Sequence, residues 1–253
     1  MISFSEAQLM AWLSPLFWPF IRVLALFTAL PVLGQRSVPM RVRLGLAFLI
    51  VVAAQASLPP IPQVALDSPL AFMLVLQNVL IGLTLGFAVR TVFAAVEFAG
   101  ELIGLQMGLN YAGFFDPASG GQGTVTARFF STIIGLLFIV INGHLLVVAA
   151  IVESFRVFPV GPQPFGFLRA LQPQVWGAEV FALGLWIALP LIGMLLFVNL
   201  VLGVMSRVAP QMNVFAIGFP VTLGVGLLGM FLTLPLMQVP FTMALERMLS
   251  HFM

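Results

Sequence analysis

Long apolar runs separated by short polar breaks set the pattern of this chain. Six blocks stand out, at roughly 12–33, 42–58, 69–96, 129–152, 177–205 and 214–245. About 20 helical residues cross a bilayer, so the first, second and fourth blocks have an ordinary length. The third runs on toward Gly108 as one helix. The fifth and sixth, about 29 and 32 residues, measure about 44 and 48 Å as helices, against a hydrocarbon core of about 30 Å. Tilt, kinks or a position partly outside the bilayer must follow. Pro15 and Pro19 in the first block, Pro190 in the fifth, and Pro220 and Pro235 in the sixth each remove a backbone hydrogen bond and favour a kink. In lipid the freed carbonyls need neighbours, so helix-on-helix burial is expected. The pattern predicts an all-α, integral membrane-type protein with long kinked helices.

The break between the last two blocks is short and polar, from Ser206 to Asn213. Pro210 is expected to end one helix and Asn213 to cap the next, giving a C-terminal helical hairpin. Asn199, Arg207, Gln211 and Asn213 would then sit where a neighbouring subunit can read them.

Composition narrows the class. Of 253 residues, 61% are hydrophobic and 7% charged, where a soluble domain carries about 25% charge. Cysteine is absent, which excludes disulfides and thiolate metal sites. His144 and His251 are far apart, and a lone histidine is a poor metal signal, so no metal or cofactor is expected. All 10 basic residues are arginines spread along the chain, not the clustered patch that nucleic acid requires. No phosphate-binding loop, zinc helix or nucleophile elbow occurs, so no enzymatic activity is expected. The first twelve residues carry Glu6 and lack the basic start of a secretory signal, so they are read as retained.

Arginine placement gives an orientation. Alternate breaks place Arg36, Arg41, Arg43, Arg90, Arg128 and Arg207 on one side, and Arg156, Arg169 and Arg247 on the other, with Arg22 set aside as mid-helix. The richer side is expected to face the cytoplasm, with both termini on the far side.

Three constellations carry candidate chemistry. Residues 82–108, read as one helix, place Gly82, Gly86, Arg90, Glu97, Gly100, Glu101, Gly104 and Gly108 within about 60° of a common direction. Small residues at four-residue spacing let another backbone come close. Leu102, Ile103 and Leu105 fall on the opposite side. Arg90, Glu97 and Glu101 are expected to pair or to face water, as a structural ion-pair network, a proton or ion relay, or pore-lining polarity.

The second constellation is "MGLNYAGFFDPASGGQGTV", Met107 to Val125. Its five glycines give backbone freedom, and Asp116-Pro117 favours a turn. Phe114 and Phe115 cost free energy if left in water. The segment reads either as a linker or as a movable plug whose greasy tip fills a hole. The third is Asn142-Gly143-His144, inside the fourth apolar block, where Asn and His can hydrogen-bond across helices.

Four stretches in order carry a resemblance over essentially the whole chain: "PVLGQRSVPMRVRLGLA" at 31–47, "EFAGELIGLQMGLNYAGFFDP" at 97–117, "NGH" at 142–144 and "NLVLGVMSRVAPQMNVFAIGFP" at 199–220. Together they resemble the FliR family, the R component of the flagellar type III export gate, and are similar to the T component of virulence injectisomes. The resemblance implies a single gate subunit over 1–253. Residues 1–176 would form an N-terminal helical part and 177–245 a hairpin shaped like the Q component. It implies assembly with FliP and FliQ into a helical ring around a channel, with FlhB at the cytoplasmic entrance and FlhA nearby. Unfolded flagellar substrates would pass through. The place implied is the bacterial inner membrane at the flagellar basal body, in contact with lipid, with the core raised toward the periplasm. It also implies a plug over about 110–124, with Asn110, Tyr111, Gly113, Phe114, Phe115, Asp116 and Pro117 at the channel. The subunit contacts would involve Asn142, His144, Asn199, Arg207, Pro210, Gln211 and Asn213.

Two rivals remain. A small-molecule or ion transporter would use broken helices and embedded carboxylates, and would show an internal repeat. An intramembrane hydrolase would need a nucleophile and base in reach, and Ser131 with His144 is the pair to consider.

Overall fold

The computed structural model describes residues 6–61, 64, 68–109, 124–161, 165–211 and 214–253, with the backbone alone over 6–13 and 214–215. The expected plug residues Asn110 to Pro117, and Asn213, lie outside the described residues.

Every regular element among the described residues is helical. In chain order they are α1 (Glu6–Ala29), α2 (Met40–Ala54), α3 (Pro69–Gln106), α4 (Val125–Val140), α5 (Gly143–Val157), α6 (Gly166–Leu171), α7 (Trp176–Val208), α8 (Val214–Thr233) and α9 (Gln238–Leu249). One-turn 3-10 segments follow α2 (Gln55–Ser57), α6 (Pro173–Val175), α8 (Leu234–Met237) and α9 (Ser250–Phe252). Among the described residues four helical stretches are long and apolar enough to cross a membrane, or five if α4 and α5 count as one broken span. α3, at 38 residues, is about 57 Å long, far more than a hydrocarbon core needs.

Two apolar blocks are broken where their composition reads as continuous. The fourth is cut at Asn142, which adopts a left-handed conformation with φ 59°. Its carbonyl accepts Leu145 N–H at 2.9 Å and so starts a new helix. Hydrophobicity does not register this break, because one residue in left-handed geometry ends a helix whatever flanks it. The sixth is cut after Thr233, with Pro235 inside the 3-10 turn Leu234–Met237. Pro190 and Pro220, by contrast, lie within α7 and α8.

The chain forms two compact units interleaved in sequence. One comprises 1–91, 142–176 and 245–253; the other comprises 92–141 and 177–244. A linear division at Gly177 therefore describes chain segments and not contact units. In the first unit Trp18, Ala71, Leu74, Phe155 and Val160 form a buried cluster with Phe17, Ile61 and Val75 against it. Near its C-terminal end, Trp176 packs on His251 and Phe252. In the second unit Phe93 stands edge-on to Phe138 and Phe241. Phe98 meets Phe181 in the same way.

Much of the apolar surface is uncovered. Phe181, Trp186, Phe197, Leu200 and Val208 of α7 are exposed, as are Leu227, Leu228, Phe231 and Leu232 of α8. Apolar patches of this kind mark contact with lipid or with other proteins.

Candidate functional site

The glycine-rich segment departs from the end of α3 and returns at the start of α4, and both ends are tightly built. α3 closes with Gly108 at φ 80°. Gly108 N–H donates to Leu105 O at 3.1 Å, and Leu109 N–H donates to Gly104 O at 3.0 Å. These are the paired bonds of a glycine-terminated helix, and they satisfy two carbonyls of the last turn. Gly108, expected to be part of the packing stripe, thus lies past the last residue of α3, where positive φ is what requires glycine. On the return side Thr124 caps α4, its Oγ1 accepting Ala127 N–H at 3.2 Å.

α3 and α4 are cross-braced. Gly100 faces α4 so closely that a Cβ there would lie 2.8 Å from Phe130 Cδ2, 2.9 Å from Ala127 Cα and 3.0 Å from Thr126 O. Three residues earlier on α3, half-buried Glu97 accepts the Ser131 hydroxyl at 2.6 Å. A carboxylate that accepts a hydroxyl is a stronger acceptor than a neutral oxygen, so the bond ties the two helices. Met107 is fully buried. A Cβ on Gly226 of α8 would meet Met107 Cγ at 2.5 Å, so the last turn of α3 is also wedged against α8. An apolar pocket of about 210 Å³ opens at this point, lined by Leu109, Val125, Thr126, Phe129, Leu227, Met230, Phe231 and Leu234. Both ends of the segment therefore open onto one pocket.

The other stripe residues divide by unit. Gly82 and Gly86 serve α1. A Cβ on Gly82 would collide with Arg22 O and Ala25 Cβ, and one on Gly86 would lie 2.5 Å from Ala29 Cβ. Arg90 and Glu101 are exposed, and Gly104 is buried. Ile103, expected on the side away from the packing stripe, is fully buried. The exposed face of α3 instead carries Phe72, Leu83, Phe87, Arg90, Glu101 and Leu105, which lie within about 60° of one another around the helix.

Asn142 and His144 are exposed, and Asn142 makes no side-chain capping bond. Asn142 supplies the left-handed backbone turn between α4 and α5. Asn199, Arg207, Pro210 and Gln211 are exposed. α7 ends at Val208, and Ala209 N–H donates to Met205 O at 2.9 Å before Pro210. Among the described residues no group of acidic, histidine or cysteine side chains is arranged to hold a metal.

One polar centre escaped the sequence reading. Arg22 is wholly buried. Its Nε donates to Asn78 Oδ1 at 2.9 Å, one terminal nitrogen donates to Ser154 O at 2.9 Å and Ser154 Oγ at 3.0 Å, and the other donates to Phe158 O at 3.0 Å. The guanidinium lies 3.7 Å from the centre of the Phe155 ring. Asn78 Nδ2 in turn donates to Leu74 O at 2.8 Å, and Ser154 Oγ to Ile151 O at 2.7 Å. Arg22 thus caps the C-terminal carbonyls of α5, where a cation suits the helix dipole. The signal was present in the sequence: an arginine within an apolar helix, with no acidic residue between Glu6 and Asp67. Such a residue must find partners inside the protein.

Comparison with known proteins covers nearly the whole chain. Residues 13–248 match the bacterial export proteins, family 1. A flagellar biosynthetic protein FliR of Escherichia coli (strain K12) is 45% identical over 236 residues, covering 93% of this chain and 90% of the relative. A FliR of Buchnera aphidicola subsp. Acyrthosiphon pisum (strain APS) is 32% identical over 253 residues, covering 100% and 97%. A FliR of Bacillus subtilis (strain 168) is 31% identical over 213 residues, covering 81% and 80%. With a match of that extent and relatives aligned nearly end to end, the chain belongs to the bacterial export proteins of family 1, alongside the flagellar biosynthetic proteins FliR.

Proposed function

We propose that this chain is a non-enzymatic, membrane-embedded subunit of the flagellar type III export gate, and that residues 110–124 form part of the plug that closes its channel. The whole chain acts as one gate subunit beside FliP and FliQ in the bacterial inner membrane. FlhB surrounds the entrance, FlhA lies nearby, and unfolded flagellar subunits are the cargo. The exposed apolar faces of α7 and α8 meet neighbouring subunits, with 177–245 acting as a Q-like hairpin. Asn142, His144, Asn199, Arg207, Pro210 and Gln211, all exposed, and Asn213 lie at subunit contacts.

The observation that carries this reading is the frame at the base of the segment. A plug must be anchored rigidly at its stem, so that its tip returns to one place. Gly108 and Thr124 fix the two ends, while Gly100 and the Glu97–Ser131 bond hold α3 and α4 together. Tyr111, Phe114 and Phe115 supply apolar surface that gains from burial in a lumen.

The test is a deletion of residues 110–124 in the assembled gate. Ion conductance is expected to rise well above that of the intact assembly. Background conductance in a complex that still assembles would overturn the plug assignment.

A further inference from the structure

We propose that the start of α2 holds the headgroup of an anionic phospholipid through Arg36 and Arg41, with an acyl chain lying along Leu44, Phe48 and Val52. This proposal stands whether or not residues 110–124 close a channel.

Three observations meet here. The first is charge. Arg36 and Arg41 are exposed and Arg43 is half-buried, and no acidic residue occurs between Glu6 and Asp67. Arg43 is committed, one terminal nitrogen donating to Gln35 O at 2.6 Å. That bond ties the turn before α2 to its first residues and keeps Arg36 beside the helix start. Val38 N–H reinforces it by donating to the same carbonyl at 3.1 Å. The side chains of Arg36 and Arg41 make no hydrogen bond or ion pair among the described residues. Two unspent guanidinium groups with no carboxylate in their own stretch of chain are complementary to phosphate, which guanidinium can bind in bidentate fashion.

The second is the face below them. Steps of about 100° per residue place Leu44, Phe48 and Val52 within about 60° of Arg41 on the helix. All three are exposed, with 52% of Phe48 accessible. The stripe is apolar from the turn after Arg41 to the end of α2. Only Ala47 and Val51 of this helix are buried.

The third is length. From Arg41 to Val52 the helix rises about 16 Å, close to half of a hydrocarbon core of about 30 Å. A phosphate held at Arg41 therefore leaves its acyl chain alongside Leu44, Phe48 and Val52 within one leaflet. Anionic lipid attracts basic residues at such a membrane edge by about 1 kcal/mol each.

The test uses the full chain, purified within the assembly it enters, in native mass spectrometry with added phosphatidylglycerol or phosphatidylcholine. Phosphatidylglycerol is expected to be retained at lower lipid concentration than phosphatidylcholine. The double substitution Arg36→Gln, Arg41→Gln is expected to weaken phosphatidylglycerol about thirtyfold, equivalent to about 1 kcal/mol per charge. The double Arg→Lys variant keeps most of the preference. Should the double glutamine variant fail to assemble, Arg41→Gln alone is expected to weaken binding about fivefold. Equal retention of the two lipids, or unchanged phosphatidylglycerol binding in the glutamine variants, overturns the site. Loss of a protein subunit from the glutamine variants with lipid binding intact overturns it too, and assigns this surface to a protein.

Discussion

Arg22 donates through Nε to Asn78 Oδ1 at 2.9 Å, and every acceptor around this buried cation is neutral. A buried charge is costly unless its donors are satisfied. Here Nε and both terminal nitrogens are engaged, and the ring of Phe155 covers one face of the guanidinium. The bonds join α1, α3 and the end of α5 into one unit. Asn78→Leu removes the acceptor at Nε and is expected to destabilise by about 1.5–3 kcal/mol. Arg22→Lys is expected to be at least as damaging, because a compact ammonium cannot span acceptors arranged for a planar fork. Thermal unfolding of the purified assembly measures both. A lysine variant as stable as the native chain would show that the fork geometry is dispensable.

The contact at Gly100 predicts a size limit. A methyl group there meets Ala127 Cα at 2.9 Å and Thr126 O at 3.0 Å, and backbone atoms cannot swing aside. Gly100→Ala is expected to cost about 1–3 kcal/mol through overpacking. Gly135→Ala, in the middle of α4 with nothing within 4 Å of the added Cβ, is expected to be neutral or to stabilise by up to about 1 kcal/mol. Paired melting curves decide it; equal effects would refute the close approach.

The Ser131–Glu97 bond predicts coupling. Ser131→Ala and Glu97→Ala each remove one partner, and a hydrogen bond to a charged group contributes about 1.5–3 kcal/mol. Glu97 is half-buried, so solvent reduces this toward the lower end. A double-mutant cycle is expected to show that the double variant costs clearly less than the sum of the two single ones. Additive losses would mean the bond contributes nothing.

The break at Asn142 predicts a backbone effect. Its φ of 59° favours glycine, tolerates asparagine and disfavours a β-branched residue. Asn142→Gly is expected to stay within about 0.5 kcal/mol of the native chain, whereas Asn142→Val is expected to lose about 1–2 kcal/mol. Similar stability of the two variants would rule out a left-handed residue there.

Much of this is legible in the sequence. The helical class, the length of α3 and the turn at Pro210 follow from hydrophobic runs and proline positions, because each is a local property of the backbone. Gly100 also stood out in sequence, since small residues at four-residue spacing have a direct steric meaning. His144 and Asn142 read differently, because polarity within an apolar block shows that a residue is unusual but not whether side chain or backbone is the reason.

The sequence by itself determined most of the helical segments, that they are strongly apolar, and that a glycine- and aromatic-rich stretch separates two of them. Only the tertiary structure decided which polar residues find partners. Arg22 finds Asn78, Ser154 and Phe158 from 56 to 136 residues away, while Arg90 and Glu101 stay exposed. Helical periodicity carries direction around one rod and no information on which rod lies opposite. That choice is set by packing between segments distant in sequence.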